Sequence, residues 1–426
     1  MINEWKDYSG RKRLHGAFWN MMGSGIMAAN TVLLTMLTGH SADLSEVGVF
    51  TLALTTAQVL YSIGLLGAND LQMTDYNRRY AFSQYFWAKV ISTILAVLAG
   101  ILVVQAFGFD ERARLYTLLL TGFMLVNSFA ELYQSLYFQN QRLDLSGKSL
   151  FFRYLLSTIA FALGIFTGKT IIISCVLMLA ADIAATIYWI IRYEAGFRDS
   201  DYHLNLQRTI RLIREVLPLG VSVLASLLLV NAPKYLIYLF VSDATQGIYT
   251  LLFMPVYAVN LLSQFIFKPF LYRYAEFLQG DQDGFGSLFV RQALVICGAA
   301  VSGALFFWLF GVPFMRVFFG QDLAPYRNLM FLFMLSGGFL AINQLLYYLL
   351  VILNKQKTIL CNYVVSALWT VPIGIILVPR FTILGAWVCF TVGQASLTAG
   401  YAGTLLHSLS LKREKQECSE GRYERE

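Results

Sequence analysis

Apolar runs of about twenty residues follow one another almost end to end along the chain, separated by short clusters of charge. A helix that crosses a bilayer needs ~20 mostly apolar residues, and twelve stretches meet that need: 16–38, 45–67, 83–108, 113–138, 149–167, 170–193, 215–240, 246–270, 288–312, 326–353, 357–378 and 382–407. So many runs exclude a soluble globule, and the expected fold is an all-α polytopic membrane protein. The first run follows a basic stretch, Arg11, Lys12 and Arg13, with no small-residue cleavage pattern after it. It reads as a retained helix, not a removed signal peptide.

The polar breaks divide the runs into two sets of six. The longest predicted cytoplasmic connection, 194–214, falls after the sixth run. On either side of it the sequence faintly repeats: NTVLLTMLTGHSADLSEVGVFTLA begins at Asn30 and NAPKYLIYLFVSDATQGIYTLL at Asn231. GVFT at Gly48–Thr51 matches GIYT at Gly247–Thr250. Six is even, so both copies enter the membrane in the same direction. This is the parallel-repeat plan of several transporters, with a substrate path between the halves. The expected architecture is twelve transmembrane helices as two six-helix lobes around a central cavity. The N-terminal lobe is 1–193, the linker 194–214, the C-terminal lobe 215–407 and a charged, disordered cytoplasmic tail 408–426.

Composition agrees with this medium: 57% of the 426 residues are hydrophobic, 13% are charged, and mean hydropathy is +0.60. Lysine and arginine accumulate on the cytoplasmic side of membrane proteins. With the N-terminus inside, 25 of the 32 such residues fall in predicted cytoplasmic segments and flanks, and six (Arg112, Arg114, Lys169, Arg316, Arg327, Arg380) on the opposite side. Lys234 is left over, inside a run. Both termini are therefore expected in the cytoplasm. The net charge of +7 reflects orientation and calls for no nucleic acid. Cys175, Cys297, Cys361 and Cys389 lie inside runs, as reduced packing residues rather than a disulfide frame or metal site.

The predicted outside loops are short, the longest being 313–325. No paired acidic motif, phosphate-binding glycine loop or His/Cys cluster occurs in any loop, and the four histidines are scattered. These features argue against an enzyme, and no cofactor is expected. Polar residues within the runs carry the candidate chemistry, because a central charge costs ~2.5–3.5 kcal/mol on the insertion scale and faces protein or water. Asn231, Lys234 and Tyr238 share one face of the seventh run, beside Pro233. Lys234 either snorkels to the outer interface or lines a cavity as a point charge for phosphate. Tyr257, Asn260, Gln264 and Lys268 form a stripe on the eighth run, and Thr51, Thr55, Gln58 and Ser62 one on the second. Each stripe suits either sugar hydroxyls or helix–helix hydrogen bonding. Glu131 and Asp182 are candidate proton or sodium sites, or else structural ion-pair partners. Arg78, Arg79, Arg142, Lys148 and Arg153 form a basic cytoplasmic rim, which suits plain orientation bias, anionic lipid contact or an arriving anionic headgroup.

Several of these stretches resemble the polysaccharide-unit flippases of the multidrug/oligosaccharidyl-lipid/polysaccharide exporter superfamily. VGVFTLALTTAQVLYSIGLLGANDLQMTDYNRRYAFSQYFWAKVIS (Val47–Ser92) has the family's polar D-x-Q-x-T-D segment in Asp70, Gln72, Thr74 and Asp75. AELYQSLYFQNQRLDLSGKSLFFR (Ala130–Arg153) resembles its junction of helices 4 and 5, with Glu131, Gln139, Arg142 and Arg153. FGQDLAPYRNLMFLFMLSGGFLAINQLLYYLLVILNKQK (Phe319–Lys357) resembles its approach to helix 10. NAPKY resembles an N-x-P-R-Y segment, with Lys234 in place of arginine. That exchange keeps the charge but loses the bidentate fork.

The resemblance implies two lobes around a cationic cavity in a bacterial cytoplasmic membrane. It also implies translocation of undecaprenyl-(pyro)phosphate-linked oligosaccharide repeat units to the outer leaflet for surface polysaccharide biosynthesis. Lys234, Asn231, Asn260, Gln264, Arg79 and Arg153 are then candidate contacts to this lipid-linked oligosaccharide, with Asp182 and Glu131 as candidate coupling residues. Membrane lipids, a polysaccharide polymerase and glycosyltransferases are the implied partners. The main competing reading is a cation-coupled drug or metabolite antiporter of the same superfamily. Against it, the first run (AFWNMMGSGIMAANTVLLTML) lacks an acid. A peptidoglycan-precursor flippase is expected to carry two further helices, and a membrane-embedded polymerase a long outer loop.

Overall fold

The computed structural model describes residues 10–75, 78–168, 170–193, 196, 202–267, 270–279, 284–353 and 355–423. The side chains of 10–14, 74, 261, 262, 264, 265, 272, 279 and 411–423 lie outside the described set. Thirteen α-helices and one short 3-10 turn account for the ordered backbone, with no strand among the described residues. Among the described residues, ten of the helices are long and apolar enough to cross a membrane. The last of these, α13 (Gln356–Tyr423), holds an apolar segment of 55 residues and leaves helical geometry at Thr382, φ 51° and ψ −120°. It therefore supplies two crossings. A further helix of 25 residues, α9 (Asp243–Phe267), completes twelve. The chain is an all-α, multi-pass membrane protein.

Each helix starts and stops for local reasons. Asp43 caps α2 (Leu44–Leu65) by accepting from the Glu46 amide at 2.8 Å, and Asp110 caps α5 (Glu111–Gln139) by accepting from Ala113 at 2.8 Å. Both caps satisfy amide donors that a helix start leaves free. α2 ends where Leu66 and Gly67 turn left-handed (φ 51° and 73°) and lead into the short α3 (Ala68–Thr74). In the second half α9 starts at Asp243, 199 residues after the start of α2. This is the same offset that relates GVFT to GIYT, so the weak repeat coincides with equivalent helix boundaries.

The chain forms two compact units. The first is 1–224 with 319–321, and the second is 225–318 with 322–426. In the first unit α1 (Gly10–Ser41) packs along α6 (Leu143–Phe166), α2 along α5, and α6 along α7 (Ile171–Tyr193). The α1–α6 approach depends on glycine. A Cβ on Gly147 would collide with the backbone of Trp19 and Asn20, and one on Gly23 would lie 2.6 Å from the Gly147 carbonyl oxygen. Small residues let helix backbones come this close inside a bilayer. In the second unit α12 (Arg327–Ile352) packs against α9 and α13.

The division between units falls inside α8 (Leu206–Phe240), beyond the 194–214 stretch expected as the linker. Residues 206–224 are helical and belong to the first unit. Leu212 and Val216 are buried in one cluster with Tyr80, Tyr133, Tyr137 and Trp189. A Cβ on Gly220 would come within 2.9 Å of the Leu66 carbonyl. The polarity that reads as a loop is the exposed side of this helix, which carries Arg208, Arg211 and Arg214. At the other end, the backbone stays helical through Tyr423 where charge suggests disorder. The Lys/Arg/Glu/Gln-rich sequence there consists of strong helix formers.

Candidate functional site

Lys234 sits six residues before the end of α8, ~9 Å along the axis at 1.5 Å per residue, and is 3% exposed. Its ammonium lies 5.9 Å from the ring of Phe253 and 6.0 Å from that of Tyr257. These rings are on α9, ~15 and ~21 Å below its first residue. The side chain therefore reaches inward from its own Cα, away from the interface to which a snorkelling lysine would extend. Aromatic faces stabilise a desolvated ammonium by ~0.5–2 kcal/mol. Pro255 lies between the two rings, and its missing N–H leaves the α9 backbone freer to bend there.

Two candidate amides are on the same two helices. Asn231 is buried and donates to the Leu227 carbonyl at 2.9 Å, while its Oδ1 has no partner among the described residues. Asn260 Oδ1 is likewise buried and unpartnered. The structure thus joins the polar face of α8 to the stripe of α9, with Lys234 linking them. The side chain of Gln264 and all of Lys268 lie outside the described residues. Among the described residues Lys234 is the one buried charged side chain of the second unit.

The first unit buries more charge and pairs it internally. Arg153 was expected on the cytoplasmic rim but lies ten residues into α6, with its side chain 0% exposed. Its Nη2 donates to both Asp182 carboxylate oxygens, at 2.9 and 3.1 Å, and to Asn127 Oδ1 at 2.9 Å. Asn127 Nδ2 donates in turn to Asp182 Oδ2 at 3.0 Å. Asp182, on α7, is also fully buried, so this ion pair ties α5, α6 and α7 together. Arg153 does not face a headgroup at the membrane edge, and Asp182 has its cation already.

Glu131, partly buried on α5, accepts from Tyr61 of α2 and from Asn69 Nδ2 of α3 at 2.8 Å. Facing it is a cation that charge bias places with the cytoplasmic flank. Lys89, on α4 (Phe82–Ala106), is 1% exposed and donates to the Gly64 carbonyl at 3.1 Å and Ser128 Oγ at 3.2 Å. An acid in one span without an assigned cation was the signal that could have exposed it.

Arg79 is exposed, as a rim residue should be, and is engaged at the base of α8. It bridges Asp75 at 3.7 Å and Glu215 at 3.2 Å. Asp75 also accepts from the Tyr80 amide and the Tyr85 hydroxyl, and Tyr80 donates to Glu215 at 2.8 Å. Burial first, then that hydrogen bond and the Glu215 charge, hold the Tyr80 phenol above its usual value. Among the described residues no group of three or more His, Cys, Asp or Glu is placed to hold a metal.

No family model and no curated protein sequence matches the chain. Solved structures do match. A single-residue variant of the Vibrio cholerae MATE transporter VcmN overlays with a TM-score of 0.62 at 16% identity, covering 95% of this chain and 97% of that one. The fold is that of the MATE transporters. The MATE multidrug transporter DinF-BH overlays with a TM-score of 0.63 at 15% identity, over 95% and 96% of the two chains. A MOP superfamily transporter from Pyrococcus furiosus gives 0.57 at 11% identity, over 94% and 96%, and its binding pocket is described as having reversed polarity. At these identities the likeness is one of fold, over nearly the whole chain.

Proposed function

We propose that the protein is a transporter that works by alternating access. Its cargo is the anionic headgroup of a lipid-linked oligosaccharide, carried from the cytoplasmic to the outer leaflet while the polyprenyl tail stays in the hydrocarbon. The observation that carries this reading is Lys234. A buried ammonium at depth, on a pair of helices that also carries two unpartnered amide oxygens, and with no buried carboxylate among the described residues of its unit, suits a phosphate with attached sugars. It would repel a cationic drug. The resemblance of NAPKY and of the Val47–Ser92 and Phe319–Lys357 stretches to the polysaccharide-unit flippases supports the same cargo. Polymerase and glycosyltransferases would then act next to it in the membrane.

A cation-coupled drug or metabolite antiporter is the second reading. The overlay with multidrug transporters supports it more directly than it supports a flippase. The Pyrococcus furiosus relative, whose pocket polarity is said to suggest a different function, illustrates that pocket charge can vary within this fold. That is why the sign of Lys234 decides here.

The test uses purified protein in liposomes and a fluorescent undecaprenyl-pyrophosphate oligosaccharide. Delivery to the opposite leaflet is compared for wild type, Lys234→Ala and Lys234→Arg. Transport by wild type, lost in the alanine variant and kept in the arginine variant, is the expected result. Export of a cationic dye with no lipid-linked sugar moved would overturn the proposal in favour of the antiporter.

A further inference from the structure

A charge within a bilayer-spanning helix is costly unless an opposite charge, hydrogen-bonding groups, an aromatic face or water stabilises it. Among the described residues, the charges at depth within the spans of the first unit are Lys89, Arg153, Glu131 and Asp182. Arg153 and Asp182 close on each other at 2.9 Å with neither side chain exposed. The remaining cation, Lys89, and the remaining anion, Glu131, face each other across the same pair of helices. Ser128, which accepts from Lys89, precedes Glu131 by one turn of α5. Gly64, the other acceptor, follows Tyr61, a donor to Glu131, by one turn of α2. The hydrogen bonds of the two charged groups go to different partners, so their attraction is Coulombic across the space between them, and Arg153 exerts a separate attraction on Glu131.

We infer that Lys89 is a tethered counter-cation for Glu131, filling from within the protein the place that a dissociable monovalent cation would otherwise take beside that carboxylate. The groups around the ammonium support this substitution. The ammonium donates to the Gly64 carbonyl and the Ser128 hydroxyl, and the Tyr61 phenol and the Glu131 carboxylate lie one helical turn from these acceptors on the same two helices. All are hard oxygen ligands of the kind that alkali and alkaline-earth ions favour, and Glu131 is only partly buried. In the wild type the ammonium neutralises the site, so the unit's stability is indifferent to which small cation is in solution. Removing the ammonium leaves an oxygen-lined, negatively charged position open to Na⁺ or K⁺. This inference concerns the first unit alone and does not depend on the cargo proposed above.

Thermal unfolding of the purified full-length protein in detergent tests it, at constant ionic strength in sodium, potassium or choline chloride. Four forms are compared: wild type, Lys89→Met, Lys89→Arg and Lys89→Met/Glu131→Gln. The wild-type midpoint should be the same in all three salts, and Lys89→Arg should stay close to it. Lys89→Met should melt several degrees lower in choline and regain part of that loss in sodium or potassium. The double variant should recover the loss in every salt, because it removes both charges. If Lys89→Met yields no folded protein, recovery of folded protein in the double variant carries the same meaning. A wild type stabilised selectively by sodium or potassium would overturn the inference. So would a Lys89→Met variant indifferent to cation, or a double variant no better than Lys89→Met in choline.

Discussion

Asp182→Asn changes one charge and almost no volume, and it strikes the most deeply buried ion pair in the molecule. In the wild type the Arg153 guanidinium donates through Nη2 to both carboxylate oxygens and to Asn127 Oδ1, while its Nε and Nη1 have no partner among the described residues. The amide would keep a hydrogen bond but leave the cation without its counter-charge in a fully buried place. At an effective dielectric constant of 20, two unit charges ~4 Å apart attract by ~4 kcal/mol. Removing one partner of a buried pair typically costs ~3–5 kcal/mol. For a unit the size of 1–224, with a melting response of ~2–4 °C per kcal/mol, this is a fall of about 6–20 °C. Thermal unfolding in detergent measures it, with Lys234→Ala in the other unit as a control. The reciprocal arm is Arg153→Met/Asp182→Leu, which removes both charges and should return to within ~1 kcal/mol of wild type. A fall of less than about 2 °C in Asp182→Asn, or a double variant no more stable than the single, would refute the pairing argument.

Two further outcomes follow from the packing. Gly147→Ala should destabilise the first unit by ~1–3 kcal/mol, since its Cβ would push into the backbone of α1, whereas Gly25→Ala on α1 itself, with nothing within 4 Å of the added carbon, should leave the melting midpoint unchanged or raise it. Equal effects of the two would refute the close α1–α6 approach. The Tyr80 phenol is held above its usual value, so its contribution is present below the unfolded pKa near 10 and is lost as pH rises through the folded value. The midpoint of wild type should therefore drop more steeply than that of Tyr80→Phe above about pH 10. Parallel drops would show that the Tyr80–Glu215 contact carries none of the stability.

The crossings were legible in the sequence because a bilayer imposes one length and one polarity on any spanning helix, and even the offset of the repeat reappears in the helix starts of α2 and α9. The boundary between units was not legible, because residues 206–224 are polar on one side and packed on the other. Leu212 and Val216 contact Tyr80 and Trp189 from distant parts of the chain, and no local composition signals such contacts. Lys89 and Arg153 were misread for a related reason. Charge bias assigns a cation near a span end to the water, yet each lies well inside its helix, where groups from other spans meet it: the Asp182 carboxylate for Arg153, and the Gly64 carbonyl and Ser128 hydroxyl for Lys89. A face on one helix can be read from spacing, as with Asn231, Lys234 and Tyr238. The partner helix that meets the face cannot.

Buried charge therefore differs in kind between the two units. In the first, two cations meet two anions. Arg153 and Asp182 are in direct contact, and Lys89 and Glu131 are held by the same two helices, so these four charges at depth among the described residues sum to zero. In the second, Lys234 is held over two aromatic rings with no buried carboxylate among the described residues. A neutral ring quadrupole stabilises an ammonium but does not cancel its charge. An anion is attracted to it and a cation repelled, whatever the remainder of the cargo. That asymmetry is the physical reason for weighing an anionic headgroup above a cationic drug in a fold that the overlays associate with multidrug transport.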